Sequence, residues 1–409
     1  MTQNKPSPSV LGCRASLLAA GCSRRDFIRW SGTLAAALPF GLSPMAARAA
    51  DSVTKTAGTT PVAIVGCQGY GPEVRTALKQ SFDLLGGIGS LVKAKTVTVK
   101  LNLTGTDFTP VFKRPVGESY MTHFSTALAL TGLLIEAGAR RVRLVESTQS
   151  KARLETTLEL GDWDVNQLRA LGRVEFENTR NLGLGKAYAE FKVPGGGRMF
   201  ASFQLNHAYD ETDVLVSLCK LKQHYTAGVT LSMKNLFGIT PNALYGSGAG
   251  SEDATEGRDF LHSPIGLPRR IDPPGFKFKP GKEPLNPGER IPRIITDLCA
   301  ARPIHLAIID GITSMSGAEG PWSTEIKFTK PGVLIAGLDP VATDAVGTAV
   351  MGFANPRAPL GVEPFGNCEN HLLLAEQAGL GTADLARIDV RGLTLAKARY
   401  PYPPLNLHM

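Results

Sequence analysis

Six short β-branched or apolar runs recur along the chain, and helical patterns lie between several of them. The runs cover residues 61–67, 96–101, 141–147, 213–218, 304–310 and 332–337. Continuous apolar runs of this length are typical of strands buried on both faces of a sheet. The helical patterns are "EVRTALKQSFDLLGG", "FSTALALTGLLIEAGA" and "PVATDAVGTAVMG". This alternation predicts an α/β fold, a mostly parallel sheet flanked by helices.

Local signals indicate where two of these helices begin. Thr122 and Ser125 are candidate caps for the second helix, because hydroxyl side chains accept hydrogen bonds from the first free N–H groups. Pro340 suits the first helical position of the third helix, and Asp339 is its expected cap.

Two regions interrupt the alternation within the predicted α/β domain, residues 61–390, which precedes a C-terminal tail, 391–409. Residues 151–212 are more polar and contain "VPGGGRMF", which predicts a hairpin or a small added subdomain. Residues 241–292 are rich in glycine and proline and have hardly any periodicity. A loop of that length is usually disordered or a functional cover.

The long loop carries several basic residues and directly follows a cationic segment, "SLCKLKQHYTAGVTLSMKNLFGITP". Four of them stand in its first thirty residues. These four are Arg258, His262, Arg269 and Arg270. We therefore expect the loop to cover that segment, and the alternative is a surface decoration without function.

The first 49 residues have the features of an export signal. "SRRDFIR", residues 23–29, is followed by a modest apolar run and by the small-residue motif "ARA". This order predicts a twin-arginine signal peptide that the twin-arginine export machinery reads, and hence a periplasmic or otherwise exported protein. Lipidation at Cys22 is a weaker alternative, because the apolar stretch before it is short. No later segment reaches the roughly 18 apolar residues of a membrane span, so we expect none in the mature protein.

The positive net charge does not predict a nucleic-acid partner. The formal charge is +8 from 44 basic and 36 acidic residues. Six of the basic residues but only one acidic residue lie in the first 50 positions, which leaves 38 against 35, or +3, for the remainder. Most of the excess charge therefore belongs to the leader.

Four cysteines follow the leader, and their spacing is not that of a metal centre. They are far apart and form no C-x-x-C pair, so neither an iron–sulfur nor a structural zinc site is indicated. They can be buried thiols or, after export, partners in a disulfide. The four are Cys67, Cys219, Cys299 and Cys368.

The cationic segment predicts an anion site. If "LCKLKQH" is extended, Lys220, Lys222 and His224 share one side of the strand. Thr226 is then the expected cap of a helix through "AGVTLSMKNLFG", whose free N–H groups would point towards these cations, with Lys234 on its flank. The alternative is that these lysines are solvated where the strand leaves the sheet.

Further polar residues stand at the carboxyl ends of other predicted strands. Lys100, Asn102, Glu146 and Asp310 occupy such positions, where open parallel sheets bind ligands. Asn102 and Asp310 are also ordinary turn residues. The common nucleotide-binding and hydrolase motifs do not occur, and a metal site built on His224 and His262 has no support from spacing.

Several blocks together resemble the domain of unknown function 362 family over about residues 62–352. They are "VTVKLNLTG", "LIEAGARRVRLVES", "DVLVSLCKLKQHYTAGVTLSMKNLFGITP" and "IIDGITSMSGAEGP" followed by "GVLIAGLDPVATDAVGTAVMG". The resemblance implies an α/β domain and a shared site, but it supplies no settled reaction. The implied site residues are Lys100, Asn102, Lys222, His224, Lys234 and Asn235.

This sequence departs from the family in two respects. Many members carry a ferredoxin-like cysteine cluster that it lacks. It also has "SGAE" where members tend to have an acidic residue before the glycine, so we assign Glu319 no catalytic role.

Two functions are consistent with these observations. The first is an exported enzyme, with redox-linked chemistry as one option, that binds an anionic small molecule or cofactor in a Lys/His cleft under the long loop. The second is a periplasmic binding or carrier protein that uses the same cleft without turnover. The reaction and the identity of any cofactor stay open. The predicted catalytic residues are His224, Lys222 and Asp310, and the predicted ligand-binding residues are Lys100, Asn102, Lys220, Lys234, Asn235 and His262.

The export signal can be tested directly. Replacing Arg24 and Arg25 by lysine should leave the precursor in the cytoplasm, because the twin-arginine machinery reads the arginine pair. Cell fractionation and N-terminal sequencing should find a wild-type product that begins near Ala50. Unchanged export of the double variant would contradict this interpretation.

Overall fold

The computed structural model describes residues 59–104, 108–255, 257–263 and 271–405. The predicted leader and the loop residues Arg269 and Arg270 lie outside the described residues. None of the helices in these ranges is long and apolar enough to span a bilayer.

The described strands are, in chain order, β1 (Thr60–Gly66), β2 (Thr96–Lys100), β3 (Arg141–Glu146), β4 (Val174–Asn178), β5 (Ala189–Lys192), β6 (Ser202–Leu205), β7 (Val214–Lys220), β8 (Lys222–His224), β9 (Gly228–Thr230), β10 (Leu306–Gly311), β11 (Ser314–Ser316), β12 (Lys327–Thr329), β13 (Val333–Gly337) and β14 (Ile388–Gly392).

The described α-helices are, in the same order, α1 (Glu73–Leu84), α2 (Gly89–Val92), α3 (Phe124–Glu136), α4 (Leu154–Leu160), α5 (Val165–Ala170), α6 (His207–Asp210), α7 (Ser232–Asn235), α8 (Asn242–Tyr245), α9 (Asp259–His262), α10 (Pro287–Ala301), α11 (Pro340–Val350), α12 (His371–Gln377) and α13 (Leu395–Ala398). Short 3₁₀ turns lie at Val116–Glu118, Pro194–Gly196, Leu236–Ile239 and Leu385–Arg387.

Eight strands form one mostly parallel sheet, which confirms the predicted fold class. Their order is β14–β1–β13–β10–β7–β2–β3–β4, and β13 alone among them runs antiparallel to both of its neighbours. The other six strands form three two-stranded sheets, β5–β6, β8–β9 and β11–β12. The carboxyl ends of β2, β3, β7 and β10 therefore meet at one edge of the sheet, which positions the polar residues that follow them.

Successive residues of a strand point to opposite faces of the sheet. Because the side chains on both faces are apolar, helices cover both. In β1, Val62 and Ile64 belong to an apolar cluster that includes residues of α10 and α11. Ala63 and Val65 belong instead to a second cluster, with residues of α1 and α3. Every residue of β7 and β10 is buried, which explains their continuous apolar runs.

The helix caps agree only in part with the sequence prediction. Asp339 caps α11, where its side chain accepts the backbone N–H groups of Val341 and Ala342. The cap of α3 is His123, whose side chain accepts the N–H of Ser125, so neither Thr122 nor Ser125 is the cap. The side chain of Thr122 bonds elsewhere: its Oγ1 accepts a hydrogen bond from the backbone N–H of Asn102 at 2.7 Å.

The predicted insertion, 151–212, is partly integral to the sheet. It contributes β4, which pairs with β3 at the sheet edge, together with α4, α5 and α6. The predicted hairpin is present as β5 and β6. The described residues of the long loop, 241–292, include α8, α9 and the start of α10.

Residues 391–405, in the predicted C-terminal tail, contact the domain at two places near β8. Tyr402 is buried, and its hydroxyl donates to the carbonyl of Leu221 at 2.9 Å. The carbonyl of Pro403 accepts the side-chain amide of Gln223 at 2.8 Å. This segment therefore supports the strand β8 from outside the main sheet.

The predicted helix capped by Thr226 is wrong. Residues 228–230 form β9, which pairs antiparallel with β8, and α7 begins only at Ser232. Asp344 of α11 organises this later start, because its carboxylate accepts the N–H of Ser232 at 2.9 Å, the hydroxyl of Ser232 at 2.6 Å and the N–H of Met233 at 2.9 Å.

Asp344→Ala should strongly destabilise the protein. Asp344 is fully buried, and its loss leaves three donors of Ser232 and Met233 without an acceptor. We expect a loss of about 3 kcal/mol in the free energy of unfolding, measured by chemical denaturation. Asp384→Ala is the matched control, since this partly exposed cap accepts one N–H and should cost about 1 kcal/mol. Equal losses in the two variants would contradict this role of Asp344.

Candidate functional site

A cavity of about 380 Å³ opens at the carboxyl edge of the sheet, beside the β8–β9 hairpin and α7. We call it the Lys100 cavity. Polar side chains dominate its wall. Its lining residues are Lys100, Asn102, Leu103, Thr104, Glu146, Ser147, Gln149, His224, Thr230, Lys234, Asn235, Phe237, Gly238, Arg258, His262, Glu319 and Trp322.

The structure brings six of the nine predicted site residues together in this wall and places three elsewhere. Those in the wall are Lys100, Asn102, His224, Lys234, Asn235 and His262. Those outside it are Lys220, Lys222 and Asp310.

Lys100 and Glu146 form a buried ion pair at the base of the cavity. Lys100 Nζ contacts Glu146 Oε1 and also donates to the carbonyl of Leu101 at 2.7 Å. The second oxygen of Glu146 accepts the N–H of Leu103 at 2.7 Å. A Cβ on Gly238 would lie 3.1 Å from Lys100 Nζ, so the glycine leaves room for this pair. Burial lowers the pKa of Lys100.

Asn235 and Asn102 fix the surroundings of this pair. The side-chain amide of Asn235 donates to the carbonyl of Lys100 at 3.2 Å and to Ser217 Oγ at 3.1 Å. Asn102 Oδ1 accepts the backbone N–H of Lys220 at 3.5 Å. Both amides therefore connect the ends of β2 and β7.

Lys220 and Asp310 lie outside the cavity because they pair with each other across adjacent strands. They occupy the same register position in β7 and β10, with 3.4 Å between Nζ and Oδ2. Lys220 also donates to the hydroxyl of Tyr70 at 2.6 Å, and that hydroxyl donates to Asp310 at 3.0 Å. Both charged residues are fully buried and paired with each other, so the structure places them outside the cavity wall, and their ligand-binding and catalytic roles stay predictions.

Lys222 is also fully buried, which excludes the alternative of a solvated surface lysine. Its ammonium donates to the carbonyl of Tyr120 at 2.7 Å, the carbonyl of Glu319 at 2.7 Å and Thr104 Oγ1 at 3.1 Å. All three donors of the ammonium are used, and burial lowers its pKa to about 7. Lys222 therefore ties two loops to β8 with all of its donors, and its catalytic role stays a prediction.

Two histidines in the cavity wall are neutral at pH 7 and have different tautomers. His224 Nδ1 accepts the backbone N–H of Thr226 at 3.2 Å, so its proton is on Nε2. His262 Nδ1 donates to the carbonyl of Arg258 at 2.8 Å, so its Nε2 carries the lone pair. Burial lowers the pKa of His224 well below its usual value and that of His262 to about 4. The wall thus holds one imidazole N–H donor and one imidazole acceptor.

Lys234 and Thr230 differ from the other polar groups because they lack hydrogen-bond partners in the described part of the chain. Thr230 is only 4% exposed, and its Oγ1 is buried without a hydrogen-bond partner among the described residues. The ammonium of Lys234 lies over the ring of Phe237, 4.6 Å from its centroid, and makes no ion pair or hydrogen bond among the described residues. Enclosure by protein lowers its pKa to about 8, so it stays mostly charged at pH 7.

Glu146, Arg258 and Glu319 complete the charges of the wall. Arg258 donates to the carbonyls of Thr240 and Gly238 at 2.7 and 3.0 Å, which holds the long loop against the cavity. Glu319 accepts the N–H of Tyr225 and the indole N–H of Trp322, both at 3.1 Å. With neutral histidines, three cations face two carboxylates.

Sequence reasoning left these three out of the predicted site. The position of Glu146 at a strand end was a usable signal, and Arg258 stands in the loop expected to cover the site. Glu319 had no such signal, because it reaches the wall only through the loop after β11.

The four cysteines, which include Cys219, are buried without a disulfide. Among the described residues, no group of three His, Cys, Asp or Glu side chains could hold a metal ion.

Comparison with known proteins identifies the family. The family model described as a domain of unknown function (DUF362) matches residues 97–349. The chain belongs to this family. The match includes β2 to most of α11 and hence the Lys100 cavity. No curated protein matches the sequence.

Two solved structures are distantly similar. One is the lactate racemase apoprotein from Thermoanaerobacterium thermosaccharolyticum, at 12% identity and a TM-score of 0.38, covering 72% of this chain and 57% of that one. The other is a structural-genomics target from Thermotoga maritima, at 14% identity and a TM-score of 0.34, covering 64% of this chain and 54% of that one. The DUF362 chain thus spans little more than half the length of either.

Lys222→Met should destabilise the protein much more than Lys234→Met. Methionine keeps most of the apolar stem, so each change mainly removes the ammonium. Loss of the three bonds of Lys222 should reduce the free energy of unfolding by about 3 kcal/mol, since buried acceptors lose their partner. Lys234→Met should change it by about 1 kcal/mol or less, because only a cation–π contact is lost.

Thermal and urea unfolding of both variants measure this difference. Lys330→Met, at a lysine outside the cavity wall, is the control for a simple change of net charge. A Lys222→Met protein as stable as wild type would show that the three acceptors need no ammonium.

Proposed function

We propose that this DUF362 protein is an enzyme that binds an anionic small molecule in the Lys100 cavity and moves a proton to or from it. The observation that carries the proposal is the presence of unpartnered donors, Lys234 and Thr230, in the same wall as two neutral imidazoles of opposite tautomer. Such a combination suits an anion that must be held next to a base.

The binding step rests on charge and on free hydrogen-bonding capacity. Thr230 ends β9 and Lys234 lies in the helix that follows it, and neither the hydroxyl nor the ammonium has a protein acceptor in the described ranges. The wall also has one more cation than carboxylates, which favours an anion in an enclosed site. A carboxylate or phosphate oxygen would accept both donors in charge-assisted bonds. The anion can be the substrate itself or the anionic part of an organic cofactor.

The proton-transfer step rests on the histidines. His262 Nε2 has a lone pair because Nδ1 donates to a backbone carbonyl, so it can accept a proton from a bound molecule. His224 Nε2–H can donate to an oxygen that gains charge as that proton leaves. Lys234 would stabilise the same developing charge. His224 thus keeps the catalytic role predicted from the sequence, while His262 takes the role of base.

We also propose that the protein works outside the cytoplasm, on the basis of the twin-arginine motif at residues 23–29. Because this pathway moves chains that have already folded, a cofactor could be bound before export. The carrier hypothesis uses the same cations but leaves the bound molecule unchanged, so turnover separates the two functions.

The test is exchange of carbon-bound hydrogen with solvent deuterium. The full chain is incubated in D₂O with a panel of small carboxylates and phosphate esters that have an acidic C–H, and ¹H NMR follows signal loss. His262→Asn should slow exchange by about 100-fold or more, because a general base contributes that much. Lys234→Met should weaken binding about 5- to 150-fold, the scale of one charge-assisted bond.

The pH profile adds a second criterion. His262, with a pKa of about 4, is already a neutral base at pH 6, so exchange should be constant from there to about pH 7.5. It should fall above pH 8, because Lys234 then loses its proton and the site loses its free cation.

His207→Asn is the matched histidine control, since His207 pairs with Glu177 and Glu211 outside the cavity. An anion that binds without any exchange would support the carrier instead. Exchange that is unchanged in His262→Asn would contradict the assignment of the base, and an absence of anion binding would contradict the site.

A further inference from the structure

A second cavity, of about 410 Å³, lies at the carboxyl end of the edge strand β4. Three chain segments form it: residues 151–155, residues 176–185 and Glu252 of the long loop. We call it the Arg180 cavity. It shares no lining residue with the Lys100 cavity, so it is a distinct space at the same edge of the sheet.

Arg180 is the unusual group in this wall. Its Nε and Nη1 atoms are buried and have no hydrogen-bond partner, and the guanidinium makes no ion pair among the described residues. The backbone of Arg180 is fixed, since its N–H donates to Asn178 Oδ1 at 3.2 Å and its carbonyl accepts the N–H of Asn242 at 2.8 Å. Two guanidinium N–H groups that are satisfied by neither protein nor solvent are costly, because a buried donor without an acceptor is unfavourable.

The other charges around the Arg180 cavity already have partners. Glu252 and Asp253, the two acidic side chains that attract the charge of Arg180, also have other partners. The pairs are Lys151 with Asp253 at 3.0 Å, Arg153 with Glu155 at 2.6 Å, Glu177 with His207 at 2.8 Å and Glu252 with Tyr188 at 2.7 Å. Among the described residues of this wall, Arg180 is therefore the charged side chain that has buried donors without a partner.

The remaining wall is partly apolar. Leu154 and Phe176 are buried beside the cavity, whereas Leu184 is 77% exposed at its mouth. An apolar ligand body would cover Leu184 and remove that surface from water.

We propose that the Arg180 cavity binds a small monocarboxylate with an apolar body, whose carboxylate accepts the guanidinium N–H groups of Arg180. A planar guanidinium matches a carboxylate well. A single unpaired charge favours a monoanion over a phosphate dianion, because the neighbouring Glu252 and Asp253 repel further negative charge. The cavity volume lies in the usual range for small-molecule sites.

The probes are hexanoate and benzoate, with hexanamide as the uncharged analogue and inorganic phosphate as the dianion. Isothermal titration and thermal melts of the full chain measure binding. The titrations are repeated in the Lys234→Met background, where the Lys100 cavity has lost its free ammonium. Binding at Arg180 can then be observed even if the function proposed for the Lys100 cavity is wrong.

The decisive variant is Arg180→Met, which keeps the stem and removes the charge. It should weaken hexanoate binding at least tenfold and abolish the rise in melting temperature with hexanoate. Without ligand it should melt at or above the wild-type temperature, because two buried donors without an acceptor have been removed. Arg153→Met, at a cation in the same wall that is already paired with Glu155, should bind hexanoate within twofold of wild type.

Four results would overturn the proposal. The first is equal affinity of Arg180→Met and wild type for hexanoate. The second is equal affinity of wild type for hexanoate and hexanamide, which would make the carboxylate irrelevant. The third is an absence of binding of either carboxylate at millimolar concentration. The fourth is a ligand-free melting temperature of Arg180→Met several degrees below wild type, which would make the guanidinium structural.

Discussion

The burial of cationic side chains at the carboxyl edge of the sheet is the constraint on which the rest of this structure depends. Lys100, Lys220 and Lys222 are at most 2% exposed, so each ammonium must find oxygen atoms within the protein. Lys100 takes a carboxylate from β3, Lys220 takes one from β10, and Lys222 takes carbonyls from two loops. The positions of the loops around this edge follow from satisfying these three charges.

The same criterion separates structural from available charges. A buried cation whose donors are all used holds the fold and has little left to offer a ligand, as Lys222 illustrates. Lys234 and Arg180 stand in cavity walls without such partners among the described residues. Residue type alone does not make this distinction, since Lys222 and Lys234 occur in one continuous cationic segment.

The main elements could be predicted because strands buried on both faces must be apolar throughout. The edge strands β4 and β14 escaped prediction for the complementary reason: "VEFEN" and "IDVRG" are half-buried and carry charges. The helix expected from Thr226 failed because Asp344, more than a hundred residues away, fixes where α7 begins, while β8 pairs with β9. The spacing of residues near Thr226 cannot indicate a contact with a residue so distant in the sequence.

The sequence by itself determined the α/β architecture and the edge of the sheet where polar residues gather. It also named six residues that the structure brings together in the wall of the Lys100 cavity. These follow from periodicity and from the rule that parallel strands end together. The tertiary structure alone decided which cations have partners. It removed Lys220, Lys222 and Asp310 from the cavity wall and added Glu146, Arg258 and Glu319 to it. The physical reason is that an ammonium reaches several ångströms beyond its backbone, so its partner depends on which loops fold over it.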